Sequence, residues 1–213
     1  RGILALSTGS GKTISALAAA AALCEARRRQ KAPTFCVVAV PYIVLAEQWI
    51  EVMRSFGFDP ICCFGSWSAW TTELNEAISN ALLYRSGLSV TAIVVNRTLA
   101  TQRFQDTLRA IPEADLLFIG DECHRHGTSA YSGHLPNAAY RMGLSATPWS
   151  RSVYDQPRRK ILESYYGNIV AEYPIAQALE DGVLCPYAYH PIDTRLTSEE
   201  FEQYQDVSLA AAK

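Results

Sequence analysis

Gly2-Ile3-Leu4-Ala5-Leu6-Ser7-Thr8-Gly9-Ser10-Gly11-Lys12-Thr13 sets an apolar run against a glycine-bearing turn, and an alanine-rich helical stretch follows at once. A strand, a tight turn and a helix in that order make a cradle for phosphate. The turn presents unpaired backbone N–H groups, and the helix adds the positive end of its dipole. Gly9 and Gly11 let the backbone approach closely because neither carries a Cβ. Thr8, Gly9, Ser10 and Gly11 are the predicted lining. Lys12 supplies a mobile positive charge for the β- and γ-phosphates of ATP, and the Thr13 hydroxyl is placed to ligate the accompanying Mg²⁺. The full pattern carries a glycine where this chain has Leu6. A Gly/Ser turn that happens to contain a lysine is the plain alternative, and later stretches decide between the two.

With 213 residues, 49% of them apolar, the chain can bury one substantial core, and one domain is expected. It opens without Met immediately before the first strand, so a missing N-terminal part is expected, and the far end looks cut as well. A net charge of -2 excludes a global basic field, so any nucleic-acid contact must come from local patches. The six cysteines, at 24, 36, 62, 63, 123 and 185, form no C-x-x-C pair. Reduced thiols and a cytoplasmic location are the expectation. No apolar run reaches the roughly 18 residues of a membrane span, and no signal peptide is visible.

Short apolar runs alternate with helical patterns along the chain, which predicts βαβ units and a mostly parallel sheet covered on both faces. A helix is predicted over 13–29, its Arg27-Arg28-Arg29 end solvated. Thr34 to Val40 reads as a buried strand closed by Pro41, and Leu45, Trp49, Met53 and Phe56 as one helix face, with Trp49 in the core. Further strands are predicted over 61–64, 89–95, 116–119 and 139–144, and a helix over 73–84. Asn96-Arg97-Thr98 is a polar turn at the carboxyl end of a parallel strand, where open α/β sheets place ligands.

Leu116 to Ile119 ends abruptly in Gly120-Asp121-Glu122-Cys123-His124. A buried strand that delivers two carboxylates to its end allows a division of labour: Asp121 holds Mg²⁺ through its water shell, and Glu122 orients or deprotonates the attacking water. His124 would sit near the γ-phosphate and report its presence to the next strand. The rival reading is a zinc cluster of Cys123, His124, His126 and His134. Neighbouring side chains diverge on an extended chain, so that reading is set aside and His126 and His134 are expected on the surface or in loops. A third short strand end carries Ser145-Ala146-Thr147-Pro148, whose hydroxyls can bond the acidic loop on one side.

Taken in order, Ser-Thr-Gly-Ser-Gly-Lys-Thr at 7–13, Asp-Glu-Cys-His at 121–124 and Ser-Ala-Thr-Pro at 145–148 resemble motifs I, II and III of superfamily 2 helicases and translocases, in the DExH branch. The chain looks most like the helicase-like subunits of restriction and phage-defence systems, such as the type III restriction motor. Excision-repair and chromatin-remodelling translocases resemble it more distantly. The resemblance implies a three-layer α/β/α, RecA-like P-loop domain over residues 1–195, with 196–213 beginning the connection to a second RecA-like domain. It implies an ATP- and Mg²⁺-dependent motor that moves along or unwinds nucleic acid, DNA before RNA, with nuclease or other defence subunits as possible partners and no membrane. Asp121, Glu122 and Lys12 would be catalytic, and His124, Ser145 and Thr147 would couple the nucleotide to motion. Pro41 and Tyr42 match the first strand-contacting loop, and Asn96, Arg97 and Thr98 the next, with a further contact expected near Arg151. No adenine-reading glutamine motif precedes Arg1. The motor motifs fit an ATP-dependent sensor or clamp equally well, whereas a nucleoside kinase would not need Ser-Ala-Thr-Pro.

Beyond Pro148 the chain turns polar and basic. A short helix is predicted over 173–179, a strand over 184–189 leaving the domain, and a helix beginning at Thr197-Ser198-Glu199-Glu200. The tyrosines at 165, 166, 187 and 189 are expected to pack rather than stack bases.

Overall fold

The computed structural model describes residues 1–84, 87–150, 155–186 and 188–211. Arg151 and Tyr187 lie outside them. Seven strands form one sheet: β1 (Gly2–Leu6), β2 (Thr34–Val40), β3 (Ile61–Cys63), β4 (Ser89–Val95), β5 (Leu116–Asp121), β6 (Tyr140–Ser145) and β7 (Ile169–Tyr173). Their order is β3-β4-β2-β5-β6-β1-β7, and every pairing is parallel. Parallel neighbours need crossovers, which α1 (Lys12–Arg29), α2 (Ile43–Ser55), α3 (Trp67–Tyr84), α4 (Asn96–Leu99), α5 (Gln102–Arg109) and α6 (Gln156–Tyr166) supply.

Alternation along the strands divides the core into two layers. Phe35, Val37 and Ala39 of β2 join Leu116 and Phe118 of β5 on one face, under Trp70, Leu74 and Ile78 of α3, Phe104 of α5 and Tyr166 of α6. Cys36, Val38 and Val40 join Leu117 and Ile119 on the other, against Leu17 of α1 and Trp49, Ile50 and Met53 of α2. Both faces of β2 and β5 are covered, so their runs are apolar throughout rather than alternating. This is the three-layer α/β/α arrangement that the sequence predicts.

Several local expectations need correction. The helix expected from Glu73 begins six residues earlier, at Trp67, because Trp70 extends the buried stripe of Leu74 and Ile78 by a turn. Asn96-Arg97-Thr98 is one turn of helix, not a bare loop. After Pro148 the structure adds a helix and a strand that the sequence pattern does not predict: α6 buries Leu162 and Tyr166, and β7 pairs with β1 at the sheet edge. Tyr173 therefore ends a strand, and the helix expected there is α7 (Ile175–Glu180), beginning after Pro174. Residues 184–186 and 188–189 are not strand, having no sheet neighbour. Tyr165 and Tyr166 pack as expected, whereas Tyr189 is exposed. The last helix, α8 (Ser198–Ala211), starts on a reciprocal cap. Thr197 Oγ1 accepts from the Glu200 N–H, and Oε2 of Glu200 accepts from the Thr197 N–H. Among the described residues no helix is long and apolar enough to cross a membrane.

Candidate nucleotide site and the carboxyl edge

All strand ends that carry motifs emerge at one edge of the sheet, and the strand order decides which meet. β6 lies between β5 and β1, so the Ser145 turn stands between the acidic loop and the phosphate loop. In that loop Gly9 and Gly11 have φ of 79° and 83°, in the left-handed region that glycine adopts without a Cβ clash. Gly11 leads into α1, whose first turn holds no acidic residue and whose N-cap makes no side-chain bond. Its first N–H groups have no partner within the helix. The Lys12 ammonium donates to the carbonyls of Leu6 (2.9 Å) and Ser7 (3.1 Å) across the mouth of the turn.

Across the cavity stand the two carboxylates. Asp121, 8% exposed, closes β5. Its Oδ2 accepts from the indole Nε1–H of Trp49 at 2.8 Å, and its Oδ1 from the Glu122 N–H at 3.0 Å. Burial pushes its pKa up, opposed by the Trp49 bond. Glu122 has a φ of 47° and ψ of 49°, a left-handed conformation that costs a non-glycine residue roughly 1–2 kcal/mol and that here turns the chain sharply after the strand. Its Oε2 lies 3.3 Å from His124 Nδ1 and 3.5 Å from Ser145 Oγ, and the His124 bond holds its pKa below the ordinary glutamate value. His124 Nδ1 is 3.1 Å from Ser145 Oγ, which also accepts from the Thr147 N–H at 3.2 Å. Thr8, Gly9, Lys12, Thr13, Asp121 and Glu122 line one cavity of about 430 Å³ with Gln48 and Trp49.

These residues fit a Mg²⁺–triphosphate by their donors and charges. The glycine turn and uncapped helix offer N–H groups to phosphate oxygens, Lys12 and Thr13 line the same cavity, and a buried carboxylate raised in pKa by desolvation is one that a divalent cation would stabilise. The sequence places Trp49 in the core. It is core, yet its N–H sets the orientation of Asp121, and the signal was present: a buried indole N–H needs an acceptor.

The zinc alternative is scattered by the fold. The Cys123 thiol is in the core with its pKa raised by burial, His124 faces Ser145, and His126, expected near the surface, is 0% exposed. His126 joins the Asn96 Oδ1 at 3.0 Å through Nε2 and the Tyr166 hydroxyl at 2.6 Å through Nδ1. The amide oxygen requires Nε2 to be the donor, leaving Nδ1 to accept from tyrosine. Gly120 makes room for this arrangement, since a Cβ there would lie 2.7 Å from the imidazole and run into the Tyr166 hydroxyl. Asn96 is therefore corrected as a strand contact: its side chain, 1% exposed, is committed to His126.

Toward the other end of the edge the character changes. Arg97 is exposed after β4, Tyr42 is exposed after β2, and the Arg125 guanidinium lies over the Tyr42 ring at 4.8 Å. Arg27 pairs with Asp115, Arg28 and Arg29 with Glu25, Arg109 with Asp106, Arg141 with Glu113, Arg158 with Asp155 and Arg159 with Glu163. Arg97, Arg103 and Arg125 have no carboxylate in ion-pair reach among the described residues.

Comparison with known proteins adds relatives to this geometry. Among solved structures, 86% of the chain matches a nuclease-deletion mutant of the Type ISP restriction-modification enzyme LlaGI in complex with a DNA substrate mimic, at 21% identity and a TM-score of 0.60. That likeness is one of fold, and the chain spans 19% of that protein's length. A search of curated proteins finds no match. Residues 1–150 match the family model described as type III restriction enzyme, res subunit. The chain belongs to that family.

Proposed function

We propose that this chain is the ATP-binding motor domain of a nucleic-acid translocase or helicase, acting on DNA in a restriction or defence system. The observation that carries the reading is the convergence of Lys12, Asp121 and Glu122 on one cavity, with the His124–Ser145 pair bonded to Glu122 behind it. Thr8, Gly9, Ser10, Gly11, Lys12 and Thr13 would hold the triphosphate, and Thr13 and Asp121 the Mg²⁺. When bound, Mg·ATP supplies the phosphoanhydride bond whose cleavage drives the motor. Trp49 fixes the rotamer of Asp121 through its N–H. Glu122 is held as a carboxylate by His124, which leaves it able to orient water and accept its proton. His124 and Ser145 link that carboxylate to the end of β6, so a change at Glu122 is felt one strand away.

An arginine from a facing second domain would complete the charge stabilisation, a contribution of roughly 10³ to 10⁵ in rate. Residues 1–213 alone are therefore expected to bind ATP and hydrolyse it very slowly. Steady-state ATPase of the full-length protein with and without DNA tests the reading. DNA should stimulate turnover, and Glu122→Gln should lower it by about 10² to 10⁴ while ATP affinity stays the same. Unchanged turnover in that variant refutes the assignment of Glu122. Turnover without displacement of a DNA-bound third strand would instead support a switching clamp.

A further inference from the structure

Beyond β4 the carboxyl edge continues to the end of β3, where none of the residues assigned above lies. Trp67 opens α3 there at 54% exposure, whereas Trp49 and Trp70 are buried. Arg103, in the first turn of α5, places its guanidinium over the indole, 4.2 Å from the ring centroid. Beside the pair is a cavity of about 420 Å³ lined by Gly65, Trp67, Trp70, Thr98, Thr101 and Arg103, with no carboxylate in its wall. Asp106, the nearest acid in sequence on α5, is engaged by Gln102 and Arg109.

The chemistry suited to such a wall has a flat aromatic face and a negative charge close beside it. An indole offers stacking area that every nucleobase can use, and an unpaired guanidinium offers a phosphate partner. Thr98, which lines the cavity, also belongs to the helical turn after β4. At the other flank of that turn the Tyr42–Arg125 pair repeats the motif of an exposed ring beneath a guanidinium. Because β3, β4 and β2 are neighbours in the sheet, the three features form a row with successive strands about 4.8 Å apart.

We propose that the Trp67–Arg103 cavity takes one base of a single nucleic-acid strand, the indole stacking on the base while Arg103 and the Thr98 hydroxyl meet its phosphate. The proposal rests on the nucleic-acid reading above and extends it by one strand end, to a residue pair outside every motif.

The test uses the full-length protein and fluorescently labelled oligo(dT), with affinity measured by anisotropy over a range of salt, and a bromodeoxyuridine-containing oligonucleotide for cross-linking. Trp67→Ala should weaken binding about tenfold, in the range of one base–aromatic stack, while Trp67→Phe retains most of the affinity. Arg103→Ala should reduce the slope of log affinity against log salt by about one. Cross-linked peptides should include Trp67. If Trp67→Ala and Arg103→Ala bind like the parent while Arg97→Ala binds more weakly, this site is refuted and the motor reading stands. If the parent itself does not bind the strand, both fall. If Trp67→Ala leaves affinity unchanged but exposes new cleavage sites in limited proteolysis, the cavity docks another part of the protein and the proposal is overturned.

Discussion

The two halves of the carboxyl edge are built on opposite plans. At the ends of β5, β6 and β1 the polar side chains are bonded to one another: Trp49 to Asp121, His124 to Glu122 and Ser145, Lys12 to the carbonyls of its own loop. Around the ends of β2, β4 and β3 the guanidinium groups of Arg97, Arg103 and Arg125, the last reaching over from the loop after β5, have no carboxylate partner among the described residues, and the rings of Tyr42 and Trp67 are exposed beneath two of them. On the function proposed above, the difference follows from what each half would recognise. Stabilising a developing charge requires dipoles fixed before the reaction, so side chains there lock one another. Holding a moving strand of arbitrary sequence requires charges that adapt to phosphate wherever it falls, and prior pairing would oppose that.

His126 is where the two plans share a side chain, and it offers the largest expected effect. Burial lowers its pKa to about 3, far below the ordinary value near 6.5, so the folded protein holds it neutral. The unfolded chain takes up a proton in the window between those values and the folded chain does not. Its contribution is therefore full above pH 6.5 and lost as pH falls, by roughly 2 kcal/mol on going to pH 5. Denaturant unfolding at pH 7 and pH 5 should show that difference, and His126→Asn should remove most of it. An equal pH dependence in the variant would place the acid sensitivity elsewhere. A second expectation is confined to the bonded half. Trp49→Phe keeps the ring packing but removes the donor to Asp121, and should lower ATP turnover about tenfold and raise the Mg²⁺ concentration required, since a hydrogen bond to a charged group contributes about 1.5–3 kcal/mol. Strand affinity in the same variant should be unchanged, and a parallel loss of both would dissolve the division between the halves. The smallest effect belongs to the open half: Arg97→Ala should weaken oligonucleotide binding about threefold and flatten its salt dependence, with ATP affinity unaltered.

How far these relations can be read from the chain depends on their span. The phosphate loop is legible because strand, turn, lysine and hydroxyl are consecutive, and Asp121-Glu122 because a buried strand ends on them. Thr197 and Glu200 declare their cap within four residues. The Asn96–His126 bond is not legible, since β4 and β5 are not neighbours and the contact passes the end of β2. His126 therefore looks like any polar residue of a loop. Trp67 is not legible for a different reason: an exposed ring adds nothing to the apolar periodicity that marks a helix, so the pattern places the start of α3 later. The region after Pro148 hid a strand because β7 is an edge strand whose Val170, Ala171 and Glu172 are exposed, giving neither the continuous apolar run of a buried strand nor a clean alternation.

The placement of β1 bears on how the molecule is made. Its neighbours are β6 and β7, which begin at Tyr140 and Ile169, so the strand that carries the glycine turn is synthesised well before the strands it pairs with. Pairings of such long sequence separation carry a large loop-closure entropy and form late. A nascent chain that stops short of Tyr140 has β2, β4 and β5 able to pair, yet no neighbour for β1. Lys12 and Thr13 would then be present without the geometry proposed to bind a triphosphate, and a ribosome-bound intermediate of that length would already possess the ends of β2, β3 and β4 while the proposed nucleotide site was still unformed.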